Sequence, residues 1–182
     1  MIATERLILR PMAESDLVPL SRALNNLRVV RNTGRIPWPY RLDDAAGYLR
    51  RAREIGAGSL QLVIVRKADP QDIAGGITDE AEAAGHVAEL GYWLAEAQWG
   101  KGYGFEAARA VTAHAFAVAG HERLVASYHL GNEASRRILD RLGFRVTHHA
   151  RAFSQGSGGK VATAVLELTR PEWLRTPCSR SS

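Results

Sequence analysis

The sequence predicts an α/β domain, and three observations carry that expectation. An alternating apolar segment, residues 86–94, leads into a turn with glycines at Gly100, Gly102 and Gly104. An alanine-rich stretch of helical character, residues 105–119, follows at once. A second strand-then-helix unit comes next, with an apolar run at 123–128 and then residues 132–142 closed by Gly143-Phe144. Side chains repeat every two residues along a strand and every 3.6 along a helix, so these switches of period spell β-α-β-α.

The other elements follow in chain order. Residues 6–10 alternate charged and apolar side chains and read as a first strand, ended by Pro11. Residues 14–26 read as a helix, with Ser15 or Asp16 near its start and Leu17, Leu20 and Leu24 on one face. Residues 29–41 contain Gly34, Pro37 and Pro39 and read as irregular. Asp43 or Asp44 can cap a helix that runs to about Ile55 and is closed by Gly56 and Gly58. Residues 59–66 and 73–79 read as strands around a turn at Asp69-Pro70, which puts Asp79, Glu80 and Glu82 at a solvated hairpin tip able to attract a cationic amine. Residues 144–152 and 161–168 read as a final strand pair around a mobile loop, Ser154-Gln155-Gly156-Ser157-Gly158-Gly159. The chain is expected to fray from Arg170, above all after Pro177. No repeat or long linker divides it, so residues 1–175 read as a single domain and 176–182 as a frayed tail.

Composition narrows the function classes. At 182 residues the chain is long enough to bury a core without covalent staples. Its 24 basic and 19 acidic residues give a formal charge of +5, spread without runs. That suits an anionic cofactor or an acidic partner and is too diffuse to argue for nucleic acid. The single cysteine, Cys178, cannot form an internal disulfide. No apolar run approaches membrane-spanning length and the start has no apolar signal region, so no membrane role is expected and cytoplasm is the expected location.

Glycines spaced as in Gly100-Lys101-Gly102-Tyr103-Gly104 let backbone amides converge, and the positive end of the following helix adds to their field. Strand, turn and helix together form an anion cradle for a phosphate-bearing cofactor. A Walker loop would need Ser or Thr after Lys101, and a dinucleotide fingerprint would need a third glycine where Ala107 stands. A helix that merely begins with glycines remains the alternative.

With Asn132-Glu133-Ala134-Ser135 and the Leu142-Gly143-Phe144 close, the glycine turn resembles the GCN5-related N-acetyltransferase (GNAT) superfamily. Thr4-Glu5-Arg6-Leu7-Ile8-Leu9-Arg10-Pro11, Pro37-Trp38-Pro39-Tyr40 and Gly91-Tyr92-Trp93-Leu94 make it similar to the branch of bacterial ribosomal-protein N-terminal acetyltransferases. The likeness runs from about Thr4 to Trp173. It implies a mixed, mostly antiparallel sheet of about seven strands, splayed between the Glu89 strand and the Leu124 strand to admit a pantetheine arm. It also implies acetyl-coenzyme A as cosubstrate, a primary amine, foremost a protein or peptide N-terminus, as acceptor and direct attack without an acyl-enzyme. No metal is expected, since the histidines 114, 121, 129, 148 and 149 lack ligand spacing and read as surface or filler. A homodimer is compatible with this reading. The alternatives are a small-molecule acetyltransferase acting on an aminoglycoside or polyamine, and a non-catalytic module that binds acetyl-coenzyme A.

Site residues follow from both sources. The resemblance implies cofactor contacts from Trp93, Leu94, Gly100, Lys101, Gly102, Tyr103, Gly104, Asn132 and Arg137. A solvated side chain is an equal reading for Lys101 and the more ordinary one for Arg137, and Asn132 caps the helix start in either case. Glu89 alternates to the same side as Val87, Gly91 and Trp93, where a lone carboxylate among apolar neighbours is costly. Desolvation would raise its pKa above about 4.3, towards a value useful for a general base. An ion pair with an arginine is the alternative. On a helical wheel Ser135 falls inside the arc of Ala134, Ile138, Leu139 and Leu142, so its hydroxyl needs a partner. That partner is either the carbonyl four residues earlier or, as the resemblance implies, the cofactor sulfur. Seven residues after Asn132, where many members carry tyrosine, stands Leu139, which leaves Ser135, or Tyr128 in its place, to serve the leaving thiolate.

Overall fold

The described residues contain eight strands: β1 (Ile2–Ala3), β2 (Leu7–Arg10), β3 (Leu60–Arg66), β4 (Asp69–Ala81), β5 (Val87–Leu94), β6 (Arg123–His129), β7 (Arg145–Ser154) and β8 (Gly159–Thr169). The structure is a computed structural model describing residues 1–56, 58–83 and 85–179. The strands form one sheet in the order β1-β2-β3-β4-β5-β6-β8-β7. Every neighbouring pair is antiparallel except β5 with β6. This is the expected mixed sheet with one strand more than about seven, since two-residue β1 is too short to show a period.

Six helices cover the sheet: α1 (Leu17–Leu24), α2 (Leu27–Val30), α3 (Leu42–Glu54), α4 (Tyr103–Ala117), α5 (Glu133–Leu142) and α6 (Arg170–Arg175). One face of the sheet buries Leu7, Leu9, Ile64 and Leu124 against Ala107, Val111 and Phe116 of α4 and Leu139 and Leu142 of α5. The other face buries Val63, Val65 and Trp93 against Leu20, Leu24 and Leu49 of α1 and α3. The alanines of α4 let that helix lie close on the sheet. At the start of α3 the amide of Arg41 donates to Asp44 Oδ2 at 2.7 Å, so Asp44 serves from inside the helix while Arg41 is the capping position. Residues 27–30, read partly as irregular, form the single turn α2 with the Asn26 side chain as its cap.

Several expectations are corrected. The β3–β4 turn lies at Lys67-Ala68, because Arg66 reaches across to Asp69 at 2.8 Å and draws Asp69-Pro70 into β4. Strand β4 then continues to Ala81, and Asp79 is fully buried at 0% exposure instead of solvated at a tip. Its neighbour is His121, 3.6 Å away and 1% exposed, which is neither surface nor filler. His121 Nδ1 meets the Gly85 carbonyl at 2.9 Å and Nε2 the Gly58 carbonyl at 3.1 Å. Burial raises the Asp79 pKa against the opposing pull of His121.

The loop expected to be mobile is tied down. Ser154 is buried and its hydroxyl donates to the Thr33 carbonyl at 2.8 Å, while Gln155 N donates to Gly34 O at 2.9 Å. The C-terminal segment does not fray at Arg170 either. Thr169 donates to the Glu172 carboxylate from both its amide and its hydroxyl, which starts α6. Trp173 is buried against Phe116, with ring centroids 6.3 Å apart. A 3₁₀ turn, Pro177–Ser179, follows, with Cys178 packed against the core. Residues 180–182 lie outside the described residues. Trp173→Ala is therefore expected to lower unfolding free energy by about 3–5 kcal/mol in urea titrations, the scale of a buried aromatic truncated to alanine. A loss below about 1 kcal/mol would mean the segment is only loosely docked.

Candidate active site

The site is built around the place where β5 and β6 part. Their parallel pairing joins Val87, Ala88 and Glu89 to Arg123, Leu124 and Val125 and stops there. On the β4 side the Ala95 amide donates to the Ala74 carbonyl, so pairs two residues apart in the same register, Gly76–Trp93, Thr78–Gly91 and Glu80–Glu89, exchange backbone bonds. The backbone groups of Tyr92 and Leu94 consequently face the gap. This is the expected splay, and Leu94 lies along it. Trp93 is placed differently, since its ring turns to the opposite face and packs on Gly76, where a Cβ would come within 2.5 Å of the indole nitrogen.

The glycine turn closes the wide end of this gap. Gly100 and Gly102 adopt φ of +74° and +81°, a backbone that side chains disfavour. Gly102 is the N-terminal cap of α4, whose first bond runs from the Glu106 amide to the Gly102 carbonyl. The amides of Tyr103, Gly104 and Phe105 precede that bond and have no intrahelical acceptor, which fits a pyrophosphate. Gly104 has a different role from the turn glycines. It is buried within α4, and a Cβ there would come within 2.9 Å of Ile138 on α5. The Lys101 amine reaches back to Gln98 Oε1 at 3.1 Å.

Arg6, which belongs to the opening motif but was not singled out, braces the turn. Its guanidinium binds Glu106 Oε2 at 2.7 Å through Nε and the Lys101 carbonyl at 3.0 Å, and lies 4.7 Å over the Tyr103 ring. Glu106 also accepts from the Thr4 hydroxyl at 2.6 Å and the Arg6 amide at 2.8 Å. Burial pushes the Glu106 pKa up, but these donors together hold it below the ordinary carboxylate range.

Helix α5 starts at the same end of the gap. Asn132 caps it, accepting from the Ser135 amide at 3.2 Å. The half-buried Ser135 hydroxyl pairs with the Tyr92 hydroxyl at 2.9 Å, a partner that the helical wheel could not reveal because it lies on another element. Arg137 is exposed on the helix surface, and Leu139 is a core residue.

On the other side of the sheet lies a cavity of about 910 Å³, lined among others by Tyr40, Glu80, Glu89, Trp93, Tyr128 and Phe153. Glu89 faces it from the last position of β5 that pairs with β6, but the expected desolvation is absent, since its side chain is 49% exposed. The arginine pairing holds instead, with Arg35 donating to Glu89 Oε2 at 2.6 Å and also to Glu80. The Tyr40 hydroxyl and the Trp93 indole N–H, in residues that line the cavity, are buried without hydrogen-bond partners among the described residues. Among the described residues, no group of three or more His, Cys, Asp or Glu side chains is placed to hold a metal. No helix among them is long and apolar enough to cross a membrane.

A sheet forked at a parallel pair, with a glycine cradle at its wide end, defines a class that sequence comparison identifies independently. The Acetyltransferase (GNAT) domain family matches residues 6–145, and the chain belongs to that family of acetyl-CoA-dependent acyltransferases. It is 26% identical over 178 residues to the uncharacterized N-acetyltransferase YoaA of Bacillus subtilis, covering 93% of this chain and 97% of that one. Its fold is similar to that of Mycobacterium smegmatis RimJ, solved in complex with CoA-disulfide, with a TM-score of 0.79 at 22% identity over 96% of this chain and 87% of that one. It is also similar to spermidine N-acetyltransferase from Vibrio cholerae, solved with CoA and spermine, with a TM-score of 0.78 at 16% identity over 93% and 98% of the two chains.

The Glu106 network yields a pH prediction. Its folded pKa is depressed, so its contribution is complete above the unfolded value of about 4.3 and is lost as pH falls through the lower folded value. Glu106→Gln is expected to reduce unfolding free energy by about 2 kcal/mol at pH 7, the scale of hydrogen bonds to a charged group. The gap between variant and wild type should narrow in denaturant titrations below pH 4.3. A gap that is constant with pH would show that the carboxylate charge contributes nothing.

Proposed function

We propose that the chain transfers the acetyl group of acetyl-coenzyme A directly to a primary amine, with a protein or peptide N-terminus as the acceptor that fits best, and that residues 1–175 act as one catalytic unit. The observation that carries this reading is the position of Glu89 at the vertex of the fork, between the cradle side and the cavity. Bound in the gap, acetyl-coenzyme A supplies an activated acyl carbon. The amides at the start of α4 hold its phosphates, the gap-facing backbone of Tyr92 and the Leu94 amide align the pantetheine arm, and Asn132 caps the helix beside it. The Leu94 carbonyl already accepts from the Trp99 indole N–H at 2.9 Å. Glu89, directly or through water, takes the proton that an ammonium must lose before its nitrogen can attack.

One feature of the cavity favours a peptide over a polyamine. Of its four lining carboxylates, Glu54, Glu80, Glu82 and Glu89, two already meet Arg35, which weakens the field offered to a polycation. An aminoglycoside or polyamine acceptor is the second reading.

Calorimetric titration with acetyl-coenzyme A should show saturable micromolar binding, and its absence would sink the proposal. Thiol release across N-terminal peptides, free amino acids, aminoglycosides and polyamines then assigns the acceptor. Glu89→Gln should keep cofactor affinity within about threefold but lower turnover by roughly 10²-fold or more at pH 7. That loss should shrink as pH approaches the α-amine pKa of about 7.7–8.0, where solvent can take over deprotonation. Full activity at pH 7 with a peptide acceptor would make Glu89 structural.

A further inference from the structure

We propose that Tyr92 is a positioning residue that holds the Ser135 hydroxyl as a hydrogen-bond donor to the departing sulfur of acetyl-coenzyme A. The inference rests on the acetyl-transfer reading and adds a residue to it. Tyr92 stands on β5 beyond the fork, and Ser135 is in the first turn of α5, so their contact bridges the two elements that flank the gap. Tyr92 also lines the cavity that holds Glu89.

With Tyr92 as the donor and Ser135 Oγ as the acceptor, the bond takes one of the two directions that the contact allows. Burial raises the Tyr92 pKa, and the Ser135 hydrogen bond only partly offsets this, so the phenol keeps its proton throughout the neutral range. A buried phenol must place that proton on an acceptor. Within reach are Ser135 Oγ at 2.9 Å and the Ser135 carbonyl at 3.4 Å, and the shorter, better contact is Oγ. When Oγ accepts from Tyr92, the serine's own hydrogen is free to point elsewhere. It is also a stronger donor, because hydrogen bonds in series polarise one another. The bond between Asn132 Oδ1 and the Ser135 amide fixes the backbone beneath it. Tyr128, the other candidate, makes no hydrogen bond to Ser135 among the described residues.

The chemistry balances without a change of state at either hydroxyl. The amine nitrogen forms a bond to the thioester carbon, and the carbon–sulfur bond breaks with its electron pair going to sulfur. The sulfur is finally protonated by the proton that nitrogen sheds as the amide forms. In between, negative charge on sulfur is met by the Ser135 hydrogen, and Tyr92 keeps that hydrogen in place.

The test compares binding of coenzyme A with that of desulfo-coenzyme A, which lacks the thiol, by calorimetry from about pH 7 to pH 9, across the usual thiol range near 8.5. Wild type should prefer coenzyme A increasingly as pH rises, because thiolate meets the Ser135 donor. Tyr92→Phe keeps the ring and should lose most of this pH-dependent preference, as should Ser135→Ala, a half-buried position whose truncation leaves the core intact. Turnover by Tyr92→Phe should fall about tenfold, the worth of one hydrogen bond. The double variant should be no slower than Ser135→Ala alone, as expected of two groups acting as one. A Tyr92→Phe enzyme with the wild-type preference, or single-variant losses that multiply in the double variant, would overturn the proposal while leaving acetyl transfer intact. Failure of wild type to bind coenzyme A at all would instead overturn the acetyl-transfer reading and this proposal with it.

Discussion

Parallel pairing between β5 and β6 ends at Glu89 and Val125, and the rest of the site depends on that ending. Strands that part inside a sheet leave amides and carbonyls without partners, a condition tolerated only where something else can bind them. Here the gap is held open by packing. Ile138 of α5 touches Gly104 of α4, and Leu94 at the end of β5 lies beside the same glycine. A side chain at position 104 would push α5 away from α4 and change the width of the fork. The Tyr92–Ser135 contact ties β5 to α5 on the same side, so strand and helix keep their spacing beyond the point where β5 and β6 part.

The arginines around this fork fix geometry more than they supply stability. Exposed ion pairs contribute little net free energy, because solvent screens them and long side chains lose freedom. Arg6 is partly exposed, yet it gathers Glu106, the Lys101 carbonyl and the Tyr103 ring, and so joins the second strand to the turn before α4. This explains why an N-terminal Thr-Glu-Arg belongs with a glycine turn about a hundred positions later. Thr4 and Arg6 satisfy Glu106, a carboxylate that would otherwise oppose an anion at the helix start. Arg35 has the corresponding place on the cavity side, where it meets Glu80 and Glu89 from the segment after α2.

What the sequence made legible was local. A glycine with positive φ before a helix, an asparagine cap and a Leu-Gly-Phe stop are each set by a few neighbouring residues, and all three stand where the residues indicate. What it hid depends on distant partners. Ser154 is held by Thr33, His121 by Gly58 and Gly85, and Trp173 by Phe116, contacts that no window along the chain contains. Composition therefore suggested mobility for 154–159 and fraying after Arg170 where tertiary bonds impose order. Glu89 shows a different limit. Alternation assigned its face correctly, but a face of a sheet is buried only where a helix covers it, and this end of β5 opens onto the cavity.

The buried Asp79–His121 pair shows how such a distant contact serves the site. Burying two ionisable groups costs solvation, so such a pair is weak evidence of added stability and better evidence of specified geometry. Both ring nitrogens of His121 lie within hydrogen-bond distance of carbonyl oxygens, and the Asp79 carboxyl group lies beside them. The contact anchors the end of β4 to the chain after α4 and to the turns at Gly58 and Gly85. Because side chains alternate along a strand, Asp79 on the core face requires Glu80 on the cavity face, opposite Glu89 in the β4–β5 register. A slip of one residue would bury Glu80 and move Asp79 to the cavity, so the pair fixes which carboxylate stands across from Glu89 and within reach of Arg35.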